Sequence, residues 1–179
     1  LASKSPRRKE LLESIGISFE IKLKDTNEGF SSSMDIYKVA EFLAIKKANA
    51  FEPKQNEIFI TADTVVICEG KILNKPKNRN EAEKMLRLLS DNKHEVITGV
   101  CIKTFEKNIS FLEKTEVYFK SLTKEEIDFY ILNYQPFDKA GGYGIQEWIG
   151  KIGIKEIKGD YYNVVGFPLA RLYSYLIKL

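Results

Sequence analysis

Apolar residues recur at helical spacing in the first part of the chain, which predicts two helices there. The first begins at Ser5-Pro6 and stops at Gly16, because Ser and Pro favour the first positions of a helix and Gly favours the position after its end. The second covers residues 34–51. Both are amphipathic, so each is expected to bury one face.

Two capping patterns and a proline mark the starts of three further helices. Asn80 with Glu83 and Thr123 with Glu126 each place a capping side chain three residues ahead of an acidic one, which is typical of a helix start. Pro168 opens the last helix, whose apolar residues again recur at helical spacing.

Stretches rich in β-branched and aromatic residues predict six strands, at residues 17–23, 58–68, 71–75, 94–105, 109–118 and 149–157. The stretch 58–68 is almost uninterrupted, which is typical of a strand buried on both faces. Three residues separate 94–105 from 109–118, and this predicts a hairpin. No internal repeat, low-complexity tract or linker separates these elements.

Length and composition fit one globular domain, or two small lobes that share a cleft, in a chain of 179 residues. A net charge of +3 is too small for a nucleic-acid coat, and neither a membrane span nor a signal peptide is visible. Cys68 and Cys101 lie in apolar stretches, which favours reduced core thiols in the cytoplasm over a disulfide. Leu1 stands where Met would be expected, so we expect residues of a first strand to precede it.

The first turn of the first helix carries two cations, Arg7 and Arg8. The helix dipole already favours negative charge at this end, so the arginines make sense if an anion binds there. The hydroxyls of Ser3 and Ser5 and unpaired backbone N–H groups would complete a polyphosphate site. The alternative is a surface helix with solvated arginines.

Two charged residues in otherwise apolar surroundings, Asp63 and Lys47, are candidates for the same chemistry. A carboxylate inside an apolar strand is costly unless it binds something, so Asp63 is either a ligand or general base at a cleft or the cap of a turn. Lys47 either complements the dipole at its helix end or contacts a phosphate. His94 is interpreted as a positioned surface or supporting residue and not as the base.

A glycine-rich loop covers residues 137–146, with three glycines in four positions. Glycines let a backbone approach a ligand closely, and the ring of Tyr143 and the amide of Gln146 would suit a nucleobase edge. An ordinary turn is the alternative.

Six motifs, SKSPRRKELL, ADTVV, NKP, LSDNKHEVITGV, DKAGGYGIQ and GDYYNVVGFPL, occur in the order and spacing of one family. The chain resembles the Maf family of nucleoside triphosphate pyrophosphatases, also called septum formation inhibitors. The resemblance implies a single α/β domain over residues 1–179, similar to the inosine triphosphate pyrophosphatases. It implies a curved mixed sheet flanked by helices, with two lobes around a central cleft.

The resemblance also implies hydrolysis of a nucleoside triphosphate to monophosphate and diphosphate with a divalent cation, Mg²⁺ or Mn²⁺. Asp63 matches the family's proton acceptor, and Glu28 matches an acidic position that binds metal or positions water. Both are therefore expected as metal ligands. The residues on the phosphate side are expected to be Ser3, Arg7, Arg8, Lys47 and Lys75.

Three positions separate the branches of the family. The 7-methylguanosine triphosphate branch resembles SPYR, SDQ and a terminal Glu where this chain has Arg7, Thr64 and Gln146. The chain therefore resembles the dTTP and UTP branch. The alternatives are the same reaction on modified nucleotides such as 7-methyl-GTP, or a non-catalytic regulator of septum formation. A cytoplasmic homodimer is expected, with a nucleotide as partner and neither nucleic acid nor a membrane.

Overall fold

The chain forms seven α-helices and five strands, and the computed structural model describes every residue, Leu1–Leu179. The helices are α1 (Pro6–Ser14), α2 (Val39–Ala48), α3 (Arg79–Leu89), α4 (Lys124–Tyr134), α5 (Trp148–Gly153), α6 (Tyr161–Val165) and α7 (Leu169–Leu176). The strands are β1 (Phe59–Cys68), β2 (Lys71–Leu73), β3 (Lys93–Lys103), β4 (Asn108–Phe119) and β5 (Ile154–Lys158). None of the helices is long and apolar enough to cross a membrane.

The strands form one sheet in the order β2-β1-β3-β4-β5, and β2 and β5 each run antiparallel to their neighbour. Thr64 Oγ1 lies 2.9 Å from Thr98 Oγ1, and Thr61 Oγ1 lies 3.5 Å from the carbonyl oxygen of Cys101. Thr61 precedes Thr64 by three residues in β1, whereas its partner Cys101 follows Thr98 by three residues in β3. These two strands therefore run antiparallel as well. The connection from β3 to β4 is too short for the crossover that a parallel pair needs.

The expected α/β class, with a sheet flanked by helices, is confirmed. The sheet is antiparallel throughout instead of mixed in direction. For two of the four strand pairs, the reason lies in the connections. β1 and β2 are joined by a two-residue turn, and β3 and β4 by a short loop, and such connections reverse the chain.

The chain divides into two compact units. The first comprises 1–64, 98–113 and 166–179, and the second comprises 65–97 and 114–165. Leu12 of α1 and Leu172 of α7 are fully buried in the core of the first unit. The core of the second unit includes Leu86 and Tyr130, which are also fully buried. The single domain with a central cleft stays a prediction.

Helix α2 lies very close to strands β1 and β3 within the first unit. Thr61 Oγ1 donates a hydrogen bond of 2.7 Å to the carbonyl oxygen of Ala44, and Ala44 is buried together with Cys101. A Cβ atom added to Gly99 would lie only 2.3 Å from the backbone nitrogen of Glu41. The helix backbone therefore rests directly on the backbone of β3, and only glycine fits at position 99.

Local capping signals predicted three helix starts correctly. Ser5 caps α1 by accepting a hydrogen bond from the backbone N–H of Arg8, with Pro6 as the first helical residue. Thr123 and Glu126 form both halves of the capping box of α4. Helix α7 begins directly after Pro168. These three predictions are confirmed. They could be made from the sequence because each cap depends on neighbouring residues alone.

Two predicted starts are displaced. Helix α3 is capped by Asn78, not Asn80, because Asn78 Oδ1 accepts from the N–H of Glu81 and Glu81 accepts in return from the N–H of Lys77. In the predicted helix 34–51, α2 itself covers only Val39–Ala48, and a 3₁₀ turn precedes it.

Two of the six predicted strands are wrong in whole or in part. Residues 17–23 form no strand, because their backbone pairs only with Leu1, which bonds Glu20 and Lys22. Residues 148–153 form helix α5, and only the end of the predicted strand 149–157 becomes β5. A Cβ on Gly150 would lie 1.9 Å from the carbonyl oxygen of Ile145, so a glycine permits this tight helical turn.

Both cysteines are free and buried, which confirms their interpretation as core thiols. Burial raises the pKa of the Cys101 thiol to about 11, so this thiol stays protonated at neutral pH.

Candidate active site

The guanidinium of Arg8, at the third position of α1, is held by four hydrogen bonds within the first unit. Nε donates to the carbonyl oxygen of Gly166 at 2.9 Å, and Nη2 donates to Thr64 Oγ1 at 2.9 Å. Nη1 donates to the carbonyl oxygen of Ala62 at 2.8 Å and to Ser3 Oγ at 3.4 Å. Four of the five N–H groups of an arginine are thereby engaged, so the orientation of this side chain is fixed.

The charge on Arg8 is retained in these half-buried surroundings. Its pKa is lowered to about 10, chiefly by burial and to a smaller extent by the nearby Arg7, while the carboxylates of Asp63 and Glu28 oppose the shift. Arg8 is therefore protonated at neutral pH. It lies within electrostatic reach of both predicted catalytic carboxylates and of Arg7.

The hydroxyls of Ser3 and Ser5 lie at the start of α1 and serve different purposes. Ser5 Oγ is the helix cap, so the backbone N–H of Arg8 has a partner. Ser3 is buried, and its Oγ accepts hydrogen bonds from the N–H of Ser5 at 3.2 Å and from Arg8. Because Ser3 Oγ acts only as an acceptor in these bonds, its own proton can be donated to an anion.

Lys47, in the last turn of α2, bridges two carboxylates. Its Nζ lies 2.6 Å from Asp63 Oδ1 and 2.7 Å from Glu28 Oε1. The side chains of Lys47 and Asp63 are 19% and 16% exposed, whereas that of Glu28 is 60% exposed. These contacts place Lys47 in a charge cluster with both predicted metal ligands. An interaction with the helix dipole alone does not describe its surroundings. Asp63 is therefore paired, as a charge inside an apolar strand requires.

Lys47 Nζ donates to Oδ1 of Asp63, which leaves the second carboxylate oxygen, Oδ2, outside this hydrogen bond. An anionic oxygen with an open position can accept a proton from a water molecule. The predicted role of Asp63 as a general base requires an oriented carboxylate with an oxygen available as acceptor, and the bond from Lys47 to Oδ1 is compatible with it.

The carboxylates of Glu28 and Asp63 also suit a divalent cation. The chain contains no group of three or more His, Cys, Asp or Glu residues placed to hold a metal ion on their own. Mg²⁺ is commonly bound through one or two carboxylates, with phosphate oxygens and water completing its shell. Two carboxylate donors beside the side chains that are predicted to bind phosphate therefore fit such an ion.

Thr64, predicted to distinguish substrates, contacts Arg8. Its Oγ1 accepts from Arg8 Nη2 and lies 2.9 Å from the hydroxyl of Thr98, which is fully buried in β3. Sequence reasoning missed Thr98. The only signal was its position in a strand that neighbours β1, and the pairing of the two strands was not predicted.

Two predicted site residues, Lys75 and Gln146, belong to the second unit. Lys75 is exposed just after β2. Gln146 is half-buried, and its Oε1 atom is buried without a hydrogen-bond partner. A buried amide oxygen without a partner is costly, so this atom is a natural acceptor for a donor group on a ligand.

The prediction that Tyr143 reads a base is wrong. Its side chain is buried, and its hydroxyl lies 2.7 Å from His94 Nε2. Burial raises the pKa of Tyr143 and lowers that of His94 to about 3, so both are neutral at pH 7. His94 is a core residue and not a surface one, because its ring packs against Phe119 and Tyr143.

Comparison with known proteins identifies the family. A family model described as Maf-like protein matches residues 1–179, the whole chain. The chain belongs to the Maf family. The dTTP/UTP pyrophosphatase of Parabacteroides distasonis is 48% identical, over 98% of this chain and 93% of that protein. That of Bacteroides thetaiotaomicron is 45% identical, over 100% of this chain and 94% of that protein. The family resemblance of the six motifs is thereby confirmed.

In this Maf family member, the glycine-rich loop carries a partly buried ionic network that sequence reasoning also missed. The side chain of Lys139 is only 10% exposed, and its Nζ lies 3.1 Å from Glu147 Oε1 and 2.7 Å from Asp138 Oδ1. The other oxygen of Glu147 accepts from the hydroxyl of Tyr130, which accepts in turn from the N–H of Gly144. The network joins both ends of this Maf loop to α4.

Within the first unit, five predicted residues of this Maf protein group around two others, Arg8 and Lys47. Hydrogen bonds and ion pairs connect Arg8 with Ser3 and Thr64, and Lys47 with Glu28 and Asp63, while Arg7 lies near Arg8. The grouping joins residues far apart in the sequence. The individual catalytic roles stay predictions.

Proposed function

We propose that this protein is a nucleoside triphosphate pyrophosphatase that hydrolyses dTTP and UTP to the nucleoside monophosphate and diphosphate. The names of its relatives, each a dTTP/UTP pyrophosphatase, support this substrate class. The observation that carries the proposal is the cluster of Asp63, Lys47 and Glu28, within electrostatic reach of Arg8. It combines a carboxylate base, a carboxylate pair for a cation, and positive charge for phosphates.

Binding of the triphosphate is chiefly a matter of neutralising its charge. A nucleoside triphosphate carries about four negative charges, and phosphoryl transfer enzymes act mainly by positioning and electrostatic stabilisation. Arg8 supplies a fixed positive charge, and Ser3 has a hydroxyl proton to donate. Arg7 and Lys47 are proposed to add two further cations, and Lys75 another phosphate contact.

The chemical step is assigned to Asp63. Its Oδ2 accepts a proton from a water molecule whose oxygen attacks the α-phosphorus. The new bond joins this oxygen to phosphorus, and the bond between the α-phosphorus and the bridging oxygen to the β-phosphate breaks. Diphosphate leaves with the bonding electrons, and the proton from water remains on Asp63 until it is passed to solvent.

Glu28 and Asp63 would hold the divalent cation, Mg²⁺ or Mn²⁺, that the resemblance implies. When bound, such an ion supplies neutralisation of phosphate charge and fixes the orientation of the phosphates. A cytoplasmic location is part of the same proposal, since both cysteines are free thiols. The homodimer implied by the resemblance stays a prediction.

A substrate panel tests this proposal. Diphosphate release is measured for dTTP, UTP, the remaining nucleoside triphosphates and 7-methyl-GTP, with Mg²⁺, with Mn²⁺ and with a chelator. The highest kcat/KM is expected for dTTP and UTP, and activity is expected to be lost with the chelator. A preference for 7-methyl-GTP would favour the same reaction on modified nucleotides. Absence of hydrolysis of every triphosphate would leave the non-catalytic regulator.

A further inference from the structure

The two cations of the first unit are held in opposite ways. Arg8 is fixed by four hydrogen bonds to oxygens of the protein. Lys47 contacts only the two carboxylates of Glu28 and Asp63, at the end of a flexible four-carbon side chain. Arg8 cannot move without breaking several bonds, whereas the ammonium group of Lys47 moves by rotation about its own side chain.

This ammonium group lies between the two carboxylates that are proposed to hold the metal ion. Mg²⁺ bound by Glu28 and Asp63 would require carboxylate oxygens at about 2.0–2.1 Å. The same pair of side chains is bridged by Lys47 Nζ at 2.6 and 2.7 Å. A divalent cation and an ammonium group this close together would repel strongly, so both cannot share the two carboxylates.

We infer that Lys47 is an internal counter-ion that occupies the cation position between Glu28 and Asp63 until a nucleotide arrives with its metal ion. This inference rests on the proposed function for the identity of the ligand. Phosphate oxygens then offer the displaced ammonium group a new anionic partner. Metal and nucleotide therefore bind cooperatively, because neither the lysine nor the carboxylates are left uncompensated.

Binding of the metal alone tests the inference without any turnover. Mn²⁺ binding to the nucleotide-free protein is followed by the loss of the electron paramagnetic resonance signal of free Mn²⁺. Lys47→Met keeps the apolar stem but removes the charge, and it is expected to bind Mn²⁺ at least about tenfold more tightly than the wild type. Such a change corresponds to about 1.4 kcal/mol, a modest fraction of the repulsion between close charges.

The neighbouring lysine provides a matched control. Lys46 precedes Lys47 on the same helix, and its Nζ contacts the carbonyl oxygen of Gly29 instead of a carboxylate. Lys46→Met removes the same unit of charge from the protein and is expected to leave Mn²⁺ affinity nearly unchanged. A similar gain in both variants would overturn the inference, because overall charge and not the occupied position would then explain it.

A second measurement examines the cooperativity. The α,β-imido analogue of dTTP is expected to raise the Mn²⁺ affinity of the wild type much more than that of Lys47→Met. If a folded Lys47→Met or Lys47→Gln variant binds Mn²⁺ no more tightly than the wild type, the inference is wrong. Circular dichroism checks folding in each case. If the wild type showed no pyrophosphatase activity, only the proposed function would be overturned, since Mn²⁺ binding requires no hydrolysis.

Discussion

Replacement of Arg8 by Met is expected to destabilise the protein by an amount that its contacts allow us to estimate. Three of its hydrogen bonds, to Ala62, Thr64 and Gly166, measure 2.8 or 2.9 Å. Hydrogen bonds to charged groups contribute about 1.5–3 kcal/mol each, but water can satisfy part of what a half-buried site loses, and such losses are not additive. We therefore expect a total loss of about 2–4 kcal/mol.

This loss is large enough to measure by scanning calorimetry. For a chain of this size, 1 kcal/mol changes Tm by about 2–4 °C, so Arg8→Met is expected to lower Tm by about 5–15 °C. Arg8→Lys keeps the charge but cannot reach three separate acceptors, so it should recover less than half of the loss. Lys9→Met, on the same helix, breaks only an exposed ion pair with Glu13. This control should cost about 0.5 kcal/mol or less.

Two outcomes would refute the reasoning. If Arg8→Met were no more destabilising than Lys9→Met, the four hydrogen bonds would not contribute to the stability of the fold. If Arg8→Lys restored full stability, the charge alone would matter and the geometry of the guanidinium would not. Either result would show that the four hydrogen bonds of the guanidinium do not hold Arg8 in place as proposed.

Three further changes have defined outcomes. Asp63→Asn should lower kcat about a hundredfold or more, since an amide cannot take a proton from water, while Asp91→Asn on the exposed surface should not; near-normal turnover would remove Asp63 as the base. Gln146→Glu should weaken the preference for dTTP and UTP over 7-methyl-GTP, because a carboxylate cannot donate to a base carbonyl; unchanged kcat/KM ratios would contradict this. His94 binds a proton near pH 6.5 when unfolded but near 3 when folded, so stability should fall as pH drops from about 6.5 towards 3. Urea denaturation should show a smaller fall for His94→Gln.

Features that depend on neighbouring residues could be predicted from the sequence. The cap at Ser5 and the capping box at Thr123 each require only a few consecutive residues. The uninterrupted stretch that contains Asp63 similarly identified the buried strand β1. The family resemblance then assigned distant residues to one site, which composition and spacing alone could not do.

Features that depend on distant packing could not be predicted. Residues 148–153 have the composition of a strand, but the close contact at Gly150 belongs to a helix. Lys47 meets Glu28 and Asp63 because α2 lies against the sheet, and no local pattern contains that information. Tyr143 was expected at a ligand, but His94, almost fifty residues away in sequence, holds it in the core.

The absence of a side chain at Gly99 affects the cluster of Lys47, Glu28 and Asp63. An alanine there would require the backbone of α2 to retreat by roughly 1 Å, since Cβ would otherwise lie 2.3 Å from the nitrogen of Glu41. The same helix carries Lys47, so such a retreat would shift the base of the side chain that contacts both carboxylates. The substitution Gly99→Ala is therefore expected to change the affinity for a metal ion, although it replaces no charged residue.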